Sequence, residues 1–197
     1  MANTNTAGFG LIPLGTLGST PATGGQSKYV LEAAYSDSDL FQGCTVRVVA
    51  GYIEQASLTR TLTCLGVFNG IFYNASTTLK PTWANWYNQP ITPANSEDLT
   101  CFVLDNPFQL YNVSADAALS QAVIYTTMGL TVTANGSTTS GQSNSELTVG
   151  TYHVTNNQWR VLRSAEDPEN SDITNNNCTF VVVQNLNQII NSSTAAS

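Results

Sequence analysis

The fold is decided by a pattern of alternation that is clearest in residues 44–50, which read CTVRVVA. Branched apolar side chains alternate there with polar ones, and a period of two is typical of a half-buried β-strand. Shorter stretches of the same character recur along the chain, separated by loops rich in Gly, Pro, Asn and Ser. Many short strands with turns between them predict an all-β protein whose body is a β-barrel or a sandwich.

Working outward from this stretch, we predict further strands over residues 29–33, 62–68, 71–73, 99–104, 108–113, 130–133, 159–163 and 180–183. The dipeptide Asn69-Gly70 is a strong signal for a two-residue hairpin turn. One short helix is predicted over residues 116–123, with Ser114 as its N-cap. Residues 28–197 are therefore assigned to the β-barrel body, with at most one short helix.

The first 27 residues differ from the rest, because they hold six glycines, two prolines and no charged side chain. A helix does not survive that density of Gly and Pro, so we predict an extended N-terminal arm over residues 1–27. Its apolar side chains need a dry surface, on the chain's own body or on another subunit. These candidate interface residues are Phe9, Leu11, Ile12, Leu14 and Leu17.

Composition excludes several classes of partner. The chain has 26 Thr, 18 Ser and 20 Asn among 197 residues, while only 10% of residues are charged and the net charge is −7. Binding to nucleic-acid phosphates or to anionic lipid requires clustered cationic side chains, so we expect neither partner. No apolar run approaches the roughly 18 residues of a membrane span, and the N-terminus does not resemble a signal peptide.

Candidates for chemistry are few, and we predict no catalytic, cofactor-binding or metal-binding residue. His153 is the sole histidine, and no nucleophile motif surrounds any serine. The acidic run over residues 166–172 lacks the spacing of a calcium loop and is interpreted as a solvated turn, with a metal site as the alternative. Buried free thiols are favoured over paired disulfides for the four cysteines, which are Cys44, Cys64, Cys101 and Cys178.

An aromatic group lies in the proline-rich loop over residues 76–96 and consists of Trp83, Trp86 and Tyr87. Such side chains are favoured in subunit interfaces and in local packing, because they combine a large apolar surface with a polar group. They also stack on sugar rings. The group is therefore predicted to form an interface, with a glycan platform as the alternative.

Several segments, taken in order, resemble the capsid decoration or cement proteins of tailed bacteriophages. Residues 65–73 match the segment "LGVF-x-G-x-x-Y" of that family well, and residues 105–113 match "D-D/N-P-x-x-x-F/Y-x-V". Cys44 stands where the opening strand of the family, "I/F-x-G-D-x-V", customarily has Asp. The other similar segments are residues 2–13, 39–46, 160–170 and 182–187.

The resemblance implies a structural virion protein that binds the outer surface of an icosahedral phage head and stabilises contacts between capsomers. Its partners would be the major capsid protein and further copies of itself, most often as a homotrimer, and it would be made in the cytoplasm of the host bacterium. It implies no catalytic residues. A carbohydrate-binding tail, fibre or surface module that uses the three aromatic residues is the alternative, and a hydrolase that uses His153 is the third hypothesis.

Overall fold

The computed structural model describes residues 3–18, 20–21, 25–33, 35–56, 62–131, 136–152 and 156–190. Fourteen strands and three single 3₁₀ turns are found in these residues. The strands are β1 (Ile12–Thr16), β2 (Thr20–Pro21), β3 (Ser27–Leu31), β4 (Leu40–Phe41), β5 (Thr45–Val49), β6 (Tyr52–Gln55), β7 (Gly66–Asn74), β8 (Pro81–Ala84), β9 (Trp86–Tyr87), β10 (Leu99–Leu104), β11 (Gln109–Ser114), β12 (Thr127–Met128), β13 (Trp159–Ser164) and β14 (Thr179–Gln184). The 3₁₀ turns are Ala94–Ser96, Gln121–Val123 and Val149–Thr151.

Two antiparallel sheets form the body and pack as a sandwich. Sheet I has the strand order β12-β13-β14-β11-β1-β2, and sheet II has the order β3-β10-β7-β5-β6, with β8 paired to β7. The two edge strands of sheet II, β3 and β6, approach each other, so this sheet is strongly curled. No barrel closes through hydrogen bonds among the described residues, and the sandwich prediction is the one confirmed.

The two largest of three hydrophobic clusters follow from the alternation of the strands, and the smallest consists of Leu110, Ala165, Val181 and Val183. The first lies between the sheets, where Tyr111 of β11 packs edge-on against Trp159 of β13, with ring centroids 5.5 Å apart. Sheet II contributes Val67 and Leu104 to it. The second core lies on the opposite face of sheet II, inside its curl, and contains Leu31, Ile71, Tyr87, Cys101 and Val103.

Two local predictions are wrong. Asn69-Gly70 does not form a hairpin turn, because β7 runs through it as one strand with an irregular register opposite Phe102 and Val103. Residues 116–123 form only the 3₁₀ turn Gln121–Val123. The amides of Asp116 and Leu119 donate to the carbonyls of Leu147 and Ile173, so they do not form helical hydrogen bonds. Ser114 ends β11 instead of capping a helix.

The N-terminal residues are part of the body. Strand β1 is an internal strand of sheet I, with β11 on one side and the short β2 on the other. Leu11 is 2% exposed and belongs to the core between the sheets. The described part of residues 1–27 is thus extended chain that lies on the same subunit.

Candidate functional site

The acidic run over residues 166–172 binds residues 3–5, the first ones that the structure describes. The side-chain oxygen of Asn170, a buried residue, accepts hydrogen bonds from the amides of Thr4 (2.9 Å) and Asn5 (2.7 Å). The other end of that side chain donates to Asp167 Oδ2 at 2.9 Å. The side chain of Asn3 donates to the carbonyl of Asp172 at 3.0 Å. The run therefore forms a turn, as predicted, and its polar atoms anchor the N-terminal residues.

Hydrogen bonds shift the pKa of one carboxyl group of this turn. Hydrogen bonds from the hydroxyl and the amide of Thr174, followed by one from Asn175, hold the pKa of the half-buried Asp172 below its usual value. Across the described residues, no three His, Cys, Asp or Glu side chains are grouped so that they could hold a metal ion. Because its polar atoms bind Asn3, Thr4 and Asn5, we call this turn the anchor.

Residues 8–11 pass through a tight channel between the anchor and β1. A Cβ atom added to Gly8 would lie 2.3 Å from the carbonyl oxygen of Asn144 and 2.4 Å from the Glu146 side chain, so only glycine fits. The amide of Gly10 donates to Ser145 O at 3.2 Å, and that of Leu11 donates to Gly43 O at 3.0 Å. Main-chain hydrogen bonds therefore hold the segment at Gly10 and at Leu11.

Glu146 faces this channel, because its Cγ atom is among the atoms nearest to the Cβ position of Gly8. Burial raises the pKa of Glu146, a hydrogen bond from Ser114 lowers it in part, and the negative charge of Asp116 raises it further. The hydroxyl of Ser114 lies 3.1 Å from Glu146 Oε1. The ionised form of Glu146 is thus less stable beside the N-terminal segment than it would be in water.

Beyond Leu11 the same segment turns apolar side chains to solvent. Ile12, Leu14 and Leu17 are 41%, 43% and 52% exposed. The amide of Leu17 donates to Phe108 O at 2.8 Å, which brings the side chain of Phe108, 54% exposed, to the same end of the sheet. We call Ile12, Leu14, Leu17 and Phe108 the apolar edge.

The five arm residues predicted as an interface therefore divide into two sets. Leu11 is buried in the core, and Phe9 is half-buried beside it. Phe9 lines a cavity of about 200 Å³ that lies between the N-terminal segment and sheet II, with Pro13, Val67 and Gln142 among its other walls. Ile12, Leu14 and Leu17 remain accessible. The alternation of a strand predicts that neighbouring residues of β1 differ in their exposure to solvent. The sequence does not show which face of the strand is covered.

The predicted aromatic group is not brought together. Tyr87 is fully buried, and its hydroxyl donates to the carbonyl of Tyr35. Trp86 stacks on Phe41, with centroids 5.4 Å apart and planes 3° from parallel. Trp83 is 49% exposed and points to the outer face of sheet II. The three side chains cannot form one platform, because strand alternation sends them to different surroundings.

The four cysteines are free and buried, which confirms the favoured prediction. Burial raises the pKa of the Cys44 and Cys64 thiols to about 12 and that of Cys178 to about 11, and it raises the pKa of Cys101 as well. The thiols are therefore protonated at neutral pH and are poor nucleophiles. His153 lies outside the described residues.

Comparison with known proteins finds no matching family model, no matching curated protein and no matching solved structure. Among the described residues, no helix has the length and apolar character needed to cross a membrane.

Proposed function

We propose that this chain is a structural virion protein, a capsid decoration or cement protein of a tailed bacteriophage. It binds the outer surface of the icosahedral head and stabilises contacts between capsomers, and it acts without catalysis. Its partners are the major capsid protein and further copies of itself in a homotrimer. The observation that carries the proposal is the apolar edge, in which Ile12, Leu14 and Leu17 are 41–52% exposed on a strand fastened to the body.

The apolar edge is suited to contact with the surface of another protein. Burial of apolar surface contributes about 25 cal/mol per Å², so covering three large aliphatic side chains and Phe108 supplies a favourable term without any charged pair. The segment is already ordered by Asn170 and by the pairing of β1 with β11, so little backbone entropy is lost when it binds. A preorganised apolar strand is therefore an efficient contact.

The composition supports the same role. Only 10% of residues are charged, and Thr, Ser and Asn dominate the polar residues. Neutral polar groups pair across an interface without the desolvation cost of buried ions. A trimer that makes several weak contacts with the capsid binds far more tightly than a single subunit would. Once one subunit is bound, the others meet their binding sites at a high effective concentration. The ordered resemblance to phage decoration proteins gives this contact surface its proposed partner.

The test uses purified heads of the parent phage from which this protein has been removed. Wild-type chain, the double variant Leu14→Ser/Leu17→Ser and the control Leu79→Ser are added back, and bound copies per particle are counted. Leu79 is 73% exposed in the turn between β7 and β8, so the control removes a similar side chain elsewhere. We expect the double variant to bind at least about tenfold more weakly, and the control to bind like wild type.

Two results would contradict the proposal. One is that wild-type chain does not bind the stripped heads at all. The other is that the double variant reaches the occupancy of the wild type at every concentration.

A further inference from the structure

The outer face of sheet II carries a second exposed apolar surface, distant in sequence from the apolar edge. Val67 and Leu104 on this face are covered, because they join the core between the sheets. Further along the same face the cover ends, and Val30, Phe72 and Trp83 are 42%, 41% and 49% exposed. Sheet I thus covers only part of the face.

Strand register places these side chains in one row. Thr100 of β10 is paired with Val30 of β3 on one side and with Phe72 of β7 on the other, and Phe72 is paired with Trp83 of β8. Paired residues point to the same face of a sheet, and neighbouring strands lie about 4.8 Å apart. The row therefore crosses four strands and spans roughly 14 Å.

The Trp83 ring is held in place by its neighbours. A Cβ atom added to Gly70 would lie 2.4 Å from Cζ2 and 2.6 Å from Cη2 of Trp83, so the indole rests directly on the backbone at Gly70. The Phe102 ring packs against it, with centroids 5.0 Å apart and planes at 61°. A ring fixed in this way loses little freedom when a ligand stacks on its open side.

Polar side chains border the row on both sides. Lys28 is paired with Phe102 on one side, while Asn74 lies at the end of β7 on the other. Glu32 follows Leu31, Asp98 precedes its partner Leu99, and the amide of Ala33 donates to Asp98 Oδ1 at 3.1 Å. The border thus mixes one cation, two carboxylates and an amide, and all four side chains are exposed.

The size and charge of this surface decide its occupant. The row of Val30, Thr100, Phe72 and Trp83, together with one row of residues on each side of it, covers roughly 14 by 14 Å, or about 200 Å². A stable protein interface buries about 800 Å² on each partner. A second copy of the chain would therefore find too little area. An anion would meet the two carboxylates. A neutral sugar fits both constraints, because its C–H face packs on an aromatic ring while its hydroxyls both donate and accept hydrogen bonds.

We propose that the outer face of sheet II around Trp83 is a carbohydrate-binding site that takes one or two rings of a neutral oligosaccharide. Trp83 is the stacking platform, Phe72 and Phe102 extend it, and Lys28, Asn74 and Asp98 contact hydroxyls. The site is independent of the apolar edge and does not need the protein to be bound to a capsid.

The test is a fluorescence titration of the full chain with the tetrasaccharides of cellulose, starch, xylan and chitin, preceded by a screen on an array of neutral glycans. Trp159 is fully buried and Trp86 is stacked on Phe41, so a saturable change reports chiefly on Trp83. We expect at least one probe to bind at low millimolar concentration. Trp83→Ala and Phe72→Ala should weaken that binding at least about tenfold. The affinities of the variants and of the wild type are compared by isothermal titration calorimetry, because Trp83→Ala removes the fluorophore that reports binding.

The matched control is Tyr125→Ala, which removes an exposed aromatic ring just before β12 and should leave the affinity unchanged. Thermal unfolding of each variant shows that it is folded. The proposal is overturned if wild-type chain binds none of the array glycans or tetrasaccharides, or if both platform variants bind like wild type. It is also overturned if sedimentation shows a concentration-dependent dimer that Trp83→Ala abolishes, because the occupant is then a second copy.

Discussion

The side chains of the apolar edge and those of the face around Trp83 are exposed to similar fractions, yet the two surfaces are built in different ways. The apolar edge depends on main-chain hydrogen bonds, which fasten the N-terminal segment through Asn170, Ser145 and Gly43. The face around Trp83 depends on side-chain packing over Gly70. The apolar edge is a linear surface, mostly of aliphatic side chains, and is suited to contact with another protein. The face around Trp83 is a small aromatic platform with a polar border.

The comparison shows that residue type does not tell whether an apolar side chain stabilises the fold or is available for binding. Leu11 and Leu14 are three residues apart and of the same type, but one is 2% and the other 43% exposed. Trp83 and Trp86 show the same contrast between an open ring and a stacked one. In both regions the neighbours of a side chain decide whether it stabilises the fold or remains available for binding.

The largest effect is expected from the leucines of the N-terminal segment. Leu11→Ala removes a fully packed side chain and should lower the free energy of unfolding by about 2–5 kcal/mol. Leu14→Ala, the matched control, should change it by less than about 0.5 kcal/mol. Urea denaturation measures both values. Equal losses in the two variants would show that the segment is not packed as described.

Gly70→Ala tests the packing under Trp83. The new methyl group would lie within 3.0 Å of the Trp83 ring and of the carbonyl oxygen of Ala84, so we expect a loss of about 1–3 kcal/mol. Gly150→Ala is the control, because an added Cβ there meets no atom within 4 Å. Thermal or urea unfolding gives the comparison. A Gly70→Ala variant as stable as the control would mean that the ring does not rest on Gly70.

Asn170→Ala tests the anchor of the N-terminus. Its side chain accepts two main-chain hydrogen bonds and donates one to Asp167, so its loss should cost about 1–3 kcal/mol. Amide hydrogen exchange should accelerate at Thr4 and Asn5, while the exposed Asn88→Ala leaves it unchanged. Unaltered exchange in the Asn170 variant would contradict an anchoring role.

The smallest effect concerns Glu146. Because its pKa is raised in the folded state, the folded protein holds a proton that the unfolded chain has already lost at pH values just above the ordinary 4.5. Stability therefore falls as the pH rises through that window and stays lower above it. Glu146→Gln should raise the Tm by about 1–2 °C at neutral pH and have no effect well below the ordinary pKa. Calorimetry that shows a lower Tm for Glu146→Gln at neutral pH would contradict the sign.

Much of the fold follows from local pattern. The strands around residues 45–49, 99–104 and 159–164 were predicted within a residue or two, because alternation and branched side chains are local signals. The hairpin turn predicted at Asn69-Gly70 is wrong because the glycine serves a different purpose. The Trp83 ring occupies the space that a side chain at position 70 would need. The helix over residues 116–123 failed because its amides pair with distant segments.

The candidate surfaces were less predictable than the strands. The sequence identifies Ile12, Leu14, Leu17 and Trp83 as apolar side chains that need an explanation, but it does not separate them from Leu11 or Tyr87. That separation depends on which face of each strand meets a core, and this is decided by contacts between segments far apart in the chain. Phe72 and Phe102 were missed for the same reason.

A density map of the phage particle that resolves this chain would test the central claim most directly. We predict that the chain lies on the outside of the head, with Ile12, Leu14 and Leu17 in contact with the major capsid protein and with Asn170 still bonded to Thr4 and Asn5. A map in which the apolar edge faces open solvent, or a particle that lacks the chain altogether, would contradict the account.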